Sequence, residues 1–130
     1  MDIPVPIPIR DIYAAKKRTQ DCIHRTQLIK LGQDNSILLK PENLQPIGSF
    51  ELRGAGNAME EIGANNLSDG VYTASAGNMA QGVAWYAKKM KIPCNVIVPD
   101  HAPQTKLDAI ENLGANYVKV SFEKIGRAHV

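Results

Sequence analysis

The stretch Gly70–Pro99, GVYTASAGNMAQGVAWYAKKMKIPCNVIVP, holds a strand, a helix and a second strand in succession. GVYTAS reads as a strand and AGN as a tight connection. MAQGVAWYAKKMK has helical periodicity, with Met79, Val83, Tyr86, Ala87 and Met90 predicted on one side. CNVIVP is a short apolar run, the pattern of a strand inside a sheet. Strand–helix alternation of this kind predicts an α/β fold with a parallel sheet and right-handed crossovers.

The alternation continues in both directions. Downstream, Pro103 opens a predicted helix, PQTKLDAIENLG, that ends at Gly114, and NYVKV reads as a last strand. Upstream, a helix is predicted from an N-cap at Ser49 to about Gly63. Gly54 and Gly56 inside it cost up to ~1 kcal/mol each relative to alanine, so close packing or a ligand is expected to require them. NSILLK, with Ile37, Leu38 and Leu39 in one run, reads as a strand covered on both faces. RTQLIKL reads as extended, and residues 11–23 as a helix with Asp11 at its start. The opening MDIPVPIPIR, with prolines at 4, 6 and 8, reads as an extended arm.

The bulk properties bound the function. The chain has 130 residues, enough for one small core, with 44% hydrophobic and 22% charged residues. A net charge of +2 is too near neutral to argue for nucleic acid or a membrane surface. No apolar run approaches the ~20 residues that cross a bilayer, and a cytoplasmic address is the default reading. Cys22 and Cys94 stand far apart without metal-ligand spacing and read as two reduced thiols; no metal site is expected.

Ligands of open α/β sheets sit at the carboxyl ends of strands, beside helix N-termini. Two loops qualify: PIGSFE, after the strand ending at Lys40, and SAGNMAQG, after the strand ending near Thr73. Both offer small residues and backbone N–H groups suited to a carboxylate or phosphate. Equally, Ser75 and Gly77 need only make a turn and a cap. His24 and His101 are isolated, PDHAP fits an ordinary loop, and Trp85 and Tyr86 suit packing. There is no Gly-x-Gly-x-x-Gly, P-loop, Ser-His-Asp order or zinc spacing.

Four stretches together carry a resemblance: LLKPENLQPIGSFELRGA, YTASAGNMAQGVAW, VIVPDHAPQTKLDAIENLGA and IYAAKKRTQDCIHRTQL. They resemble the N-terminal part of pyridoxal-phosphate (PLP) enzymes of the tryptophan-synthase-β fold, and are most similar to threonine/serine dehydratases (ammonia-lyases) and their serine-racemase relatives. The resemblance implies a three-layer, incomplete fold-type II enzyme: the start of the large domain plus most of the small one, over residues 1–124. It implies PLP as cofactor, a hydroxy amino acid such as threonine or serine as substrate, and a keto acid and ammonia as products. A homo-oligomer of the full-length protein is compatible with it; nucleic acid and membrane are not implied.

The residue roles carry over unevenly. Glu51 stands where the family has its Schiff-base lysine. Imine chemistry needs a primary amine there, and a carboxylate cannot condense with an aldehyde. It would also repel the cofactor phosphate by on the order of 1–4 kcal/mol at about 4 Å. A first-turn acid, by contrast, suits the helix dipole by ~0.3–1 kcal/mol. Lys40 is no convincing stand-in. Phe50 resembles the residue that packs near the cofactor ring, and Asn78 the one that hydrogen-bonds the phenolic oxygen. Ser75, Ala76, Gly77 and Gln81 fall in the loop that binds the substrate carboxylate. Ala76 replaces the serine of racemases, which favours a lyase; Met79 replaces the usual histidine. The family's glycine-rich phosphate loop does not occur in these 130 residues. Residues 125–130, IGRAHV, depart from the resemblance and can be encoded by a string like a sequencing adapter, so a non-native tail is expected there. The resulting expectation is a chain inactive as written. The alternative is a non-catalytic fragment or pseudoenzyme binding a small amino-acid-like anion or a homologous subunit.

Overall fold

The computed structural model describes residues 6–32 and 36–125. The first five residues of the proline-rich arm and residues 126–130 of the expected tail lie outside them. The elements are α1 (Ile9–Thr19), β1 (Ile29–Lys30), β2 (Leu38–Leu39), α2 (Glu51–Ile62), β3 (Val71–Ala74), α3 (Asn78–Met90), β4 (Cys94–Pro99), α4 (Gln104–Asn112), β5 (Asn116–Val120) and a four-residue α5 (Phe122–Ile125).

β3, β4 and β5 form a parallel sheet in that order, with Val71 opposite Cys94 and Asn95 opposite Asn116. Each crossover carries a helix, α3 and then α4, and the two pack against each other and the sheet. This is the α/β architecture predicted from the alternation. Burial along β4 has period two: Cys94, Val96 and Val98 are buried while Asn95, Ile97 and Pro99 are half-buried. The buried residues join Leu107 and Ile110 of α4 and Ala80, Ala84 and Ala87 of α3 in one core. Full burial of each valine, leucine or isoleucine contributes ~1.5–3 kcal/mol.

α2 lies along α3, and the fit depends on one absent side chain. A Cβ on Gly56 would fall 2.1 Å from Tyr86 Cζ and 2.2 Å from its hydroxyl oxygen. Tyr86 is fully buried (0% exposed) and meets Trp85 edge-on at 5.2 Å. Gly56 therefore has the packing reason its helix position demands. Gly54 does not, because nothing lies within 4 Å of its would-be Cβ.

Several local expectations are corrected. The N-cap of α2 is Phe50, not Ser49: Phe50 already has near-helical dihedrals and its carbonyl accepts from Arg53 N–H, so the chain turns one residue later. α1 starts at Ile9 and ends at Thr19, whose hydroxyl donates to the Ala15 carbonyl; Cys22 and Ile23 follow in a turn. Pro103 caps α4 rather than filling its first turn. On α3 the small residues Ala80, Gly82 and Ala84 face inward, while Met79 is exposed. Residues 37–39 are not a covered strand. β2 pairs antiparallel with β1, Ile29 opposite Leu39, and Ile37, Leu38 and Leu39 remain 44–48% exposed. An apolar run specifies a strand but not what covers it.

The two interior glycines of α2 should separate cleanly in chemical denaturation. Gly56→Ala should lose about 1–3 kcal/mol by overpacking against Tyr86. Gly54→Ala should gain about 0.5–1 kcal/mol, because the chain loses backbone freedom at no steric cost.

Candidate functional site

The close packing of α2 on α3 brings their N-termini together. A Cβ on Gly82 would lie 3.5 Å from the Leu52 amide nitrogen, so the two first turns run side by side. Neither helix start carries a side-chain cap. The N–H groups of the two first turns thus give one region of positive potential.

The loop after β3 is held by short-range hydrogen bonds. Ser75 N–H donates to the Ile97 carbonyl at 3.1 Å, extending the ladder, and Gly77 N–H donates to Ser75 Oγ at 3.1 Å. Ala76 packs against the core, Ser75 and Gly77 are half-buried, and Gln81 sits one turn into α3. Asn78, the first residue of α3, donates from Nδ2 to Glu51 Oε1 at 3.4 Å. That bond joins the two loops singled out in the sequence. Phe50 stands beside them with 63% of its surface exposed.

Glu51 is the group on which the site turns. Its carboxyl is held below the usual 4.5, chiefly by the Ser49 hydroxyl, with desolvation opposing and its own N–H and Asn78 helping. It is therefore ionised at neutral pH. Ser49 Oγ and Glu51 Oε2 are buried, and neither completes a hydrogen bond of good geometry, although the hydroxyl lies near enough to favour the charged form. Two buried polar atoms without full partners mark a place where a ligand group could satisfy them.

A second network, to which sequence reasoning gave no role, fixes the approach to α2. Glu42 takes a two-pronged salt bridge from Arg53, Nε at 2.7 Å and Nη2 at 2.9 Å. Thr26 Oγ1 donates to the same carboxylate at 3.1 Å, and buried Gln45 bonds both His24 N–H and His24 C=O. Lys40 Nζ donates to the Thr26 carbonyl. The nearest preceding lysine is thus tied to this network. The signal was present in the spacing of Glu42, Gln45 and Arg53 within ENLQPIGSFELRGA, but partners eleven residues apart show no periodicity. A cavity of about 590 Å³, lined by Ile12, Lys16, Ile23 and Arg25 among others, lies along α1 and includes none of the Glu51–Asn78 residues.

Among the described residues, no group of three or more His, Cys, Asp or Glu could hold a metal ion, and no helix is long and apolar enough to cross a membrane. The fold and site together define a parallel α/β domain in which the starts of two helices lie side by side. Comparison with known proteins makes the class specific. The family described as "Pyridoxal-phosphate dependent enzyme" matches residues 19–129. The chain is 37% identical over 124 residues to serine racemase of Dictyostelium discoideum, covering 92% of this chain and 38% of that protein. It is 38% identical over 117 residues to the L-threonine ammonia-lyase of Thermotoga maritima, covering 86% of this chain and 29% of that protein. The crystal structure of the Dictyostelium serine racemase superimposes with a TM-score of 0.82 at 34% identity, over 95% of this chain and 45% of that one. The chain belongs to the pyridoxal-phosphate-dependent enzyme family, and it spans well under half the length of these relatives.

The donor set can be tested against that family's cofactor. A cofactor aldehyde is held covalently by a primary amine. The group that α2 presents beside Asn78 is an ionised carboxylate, which only accepts hydrogen bonds. The residues present do not fit covalent attachment at this position.

The Glu42–Arg53 bridge should show in a pH profile of stability. Arg53 first, then Thr26 and Gln45, hold Glu42 at about 2 against desolvation. A depressed folded-state value stabilises above the unfolded value and is lost as pH falls. Glu42→Gln should therefore cost about 1–2 kcal/mol in urea denaturation at neutral pH. The gap from wild type should shrink between about pH 4.5 and about pH 2.

Proposed function

We propose that this chain is the N-terminal portion, residues 1–124, of a protein of the ammonia-lyase type. The whole protein would carry out α,β-elimination on a hydroxy amino acid such as threonine or serine, using pyridoxal phosphate. Residues 125–130 are read as a tail foreign to it. The chain itself is read as unable to hold the cofactor covalently and as catalytically inactive. The observation that carries this reading is Glu51, at the first residue of α2, ionised and hydrogen-bonded to Asn78. Where the family's chemistry calls for an amine, this chain offers an acid.

The similarity to an L-threonine ammonia-lyase supports the lyase side. So does Ala76, a methyl group packed on the core, where a racemase would need a hydroxyl to protonate the opposite face. Ser75, Gly77 and Gln81, with the uncapped N–H groups of α3, suit the substrate's carboxylate. Phe50 and Asn78 are assigned to the cofactor's neighbourhood.

A second reading is favoured by the incompletely bonded Ser49 Oγ and Glu51 Oε2. An amino acid is a zwitterion. Its carboxylate suits the start of α3 and its ammonium suits Glu51. On this reading the chain binds a small amino acid without transforming it.

The test uses borohydride reduction in the presence of pyridoxal phosphate, with peptide mapping. The chain as written should carry no fixed adduct at residue 51. Glu51→Lys should gain one there, yet release no keto acid from threonine or serine, because the glycine-rich phosphate loop is not in these residues. Keto-acid release by the unaltered chain would overturn the proposal.

A further inference from the structure

Away from the Glu51–Asn78 region, three elements converge on a sulfur atom. Cys22, in the turn after α1, is buried at 6% exposure. Lys89, on the last turn of α3, brings its Nζ into contact with Cys22 Sγ and lies 3.2 Å from Glu60 Oε1 of α2. The Lys89 side chain is 41% exposed, so it links the buried sulfur to solvent. The same ammonium stands 5.7 Å above the Tyr86 ring.

Tyr86 supplies an independent observation. Its side chain is fully buried, and its hydroxyl completes no hydrogen bond of good geometry. That hydroxyl lies beside Cys22: burial first, and then the sulfur, push its pKa upward. A buried hydroxyl without a full partner costs about 1–3 kcal/mol. An oxygen atom on the neighbouring sulfur would give it an acceptor. The Lys89 ammonium is likewise favoured chiefly by Cys22, with Glu60 adding.

We propose that Cys22 is an oxidation site, at which the sulfur takes one oxygen atom from a hydroperoxide and Lys89 and Tyr86 hold the sulfenic acid that forms. The thiolate is the nucleophilic form of a cysteine, and Lys89 places a positive charge in contact with this sulfur. Sulfur attacks the terminal peroxide oxygen; an S–O bond forms and the O–O bond breaks. The sulfur loses two electrons and the peroxide gains them. The leaving alkoxide takes up the proton that the thiol gave, so thiol plus hydroperoxide gives sulfenic acid plus alcohol, or water when the peroxide is hydrogen peroxide. The consequence is mechanical as well as chemical, since the modified sulfur joins the end of α1 to the α2–α3 contact.

The molecule contains its own control. Cys94 is buried to the same degree, at 4% exposure, and burial alone pushes its thiol pKa up. The experiment treats the 130-residue chain with hydrogen peroxide in the presence of a dione that traps sulfenic acid, and measures labelling at each cysteine by peptide mass spectrometry. Cys22 should label at least about tenfold faster than Cys94. Lys89→Met should bring Cys22 down to the Cys94 rate, while Lys89→Arg should keep most of the difference. Tyr86→Phe should shift the product from trapped sulfenic acid towards sulfinic acid. Equal labelling of the two cysteines in the unaltered chain would overturn the proposal. So would full-rate labelling of Cys22 in a Lys89→Met variant that unfolds at the same temperature as wild type.

Discussion

The contact of Tyr86 with the bare backbone of Gly56 sets the separation of α2 and α3, and most of the functional geometry follows from that separation. With the helices this close, Gly82 lies against the first turn of α2 and the two helix starts meet. Asn78 can then reach Glu51 across the gap. At the other end of the same interface Lys89 contacts both Glu60 and Cys22. A wider separation would dissolve the Asn78–Glu51 bond first, since at 3.4 Å it is already near the limit of a hydrogen bond.

Electrostatics then decides what the converged helix starts can do. Two uncapped N-termini favour an anion, and the chain supplies one of its own in Glu51. Against desolvation, Ser49, a backbone N–H and Asn78 all lower its pKa, while one of its oxygens still lacks a full partner. Stability and chemistry point in opposite directions at this residue. An acid suits the first turn of a helix, whereas the family's cofactor needs an amine. Local foldability at this position therefore carries no promise of catalysis.

Much of this was legible in the residues. The parallel sheet was readable because GVYTAS, CNVIVP and NYVKV are short runs separated by helical periods, and only crossovers can join them. The closeness of the two loops was only half readable: SAGNMAQG follows a strand directly, whereas a 3-10 turn at Glu42–Leu44 separates PIGSFE from the strand before it. What escaped was pairing at a distance. Nothing in the sequence links Gly56 to Tyr86 or Cys22 to Lys89, since neither pair shares a period. Ser49 looked like a cap because its residue type is a common one; the turn through Phe50 displaced it. The run Ile37–Leu39 was apolar enough for a covered strand, yet strand composition is silent on what lies over it.

The central claim is that residue 51 is a charged acid, its ionised form favoured by Ser49 and by the hydrogen bond from Asn78. It is tested most directly by carbon-13 NMR titration of the Glu51 carboxyl, followed together with the side-chain amide of Asn78. The account predicts a midpoint below 4.5, with the Asn78 amide moving in step as the carboxylate takes its proton. A midpoint at or above 4.5 with an unresponsive Asn78 amide would contradict it.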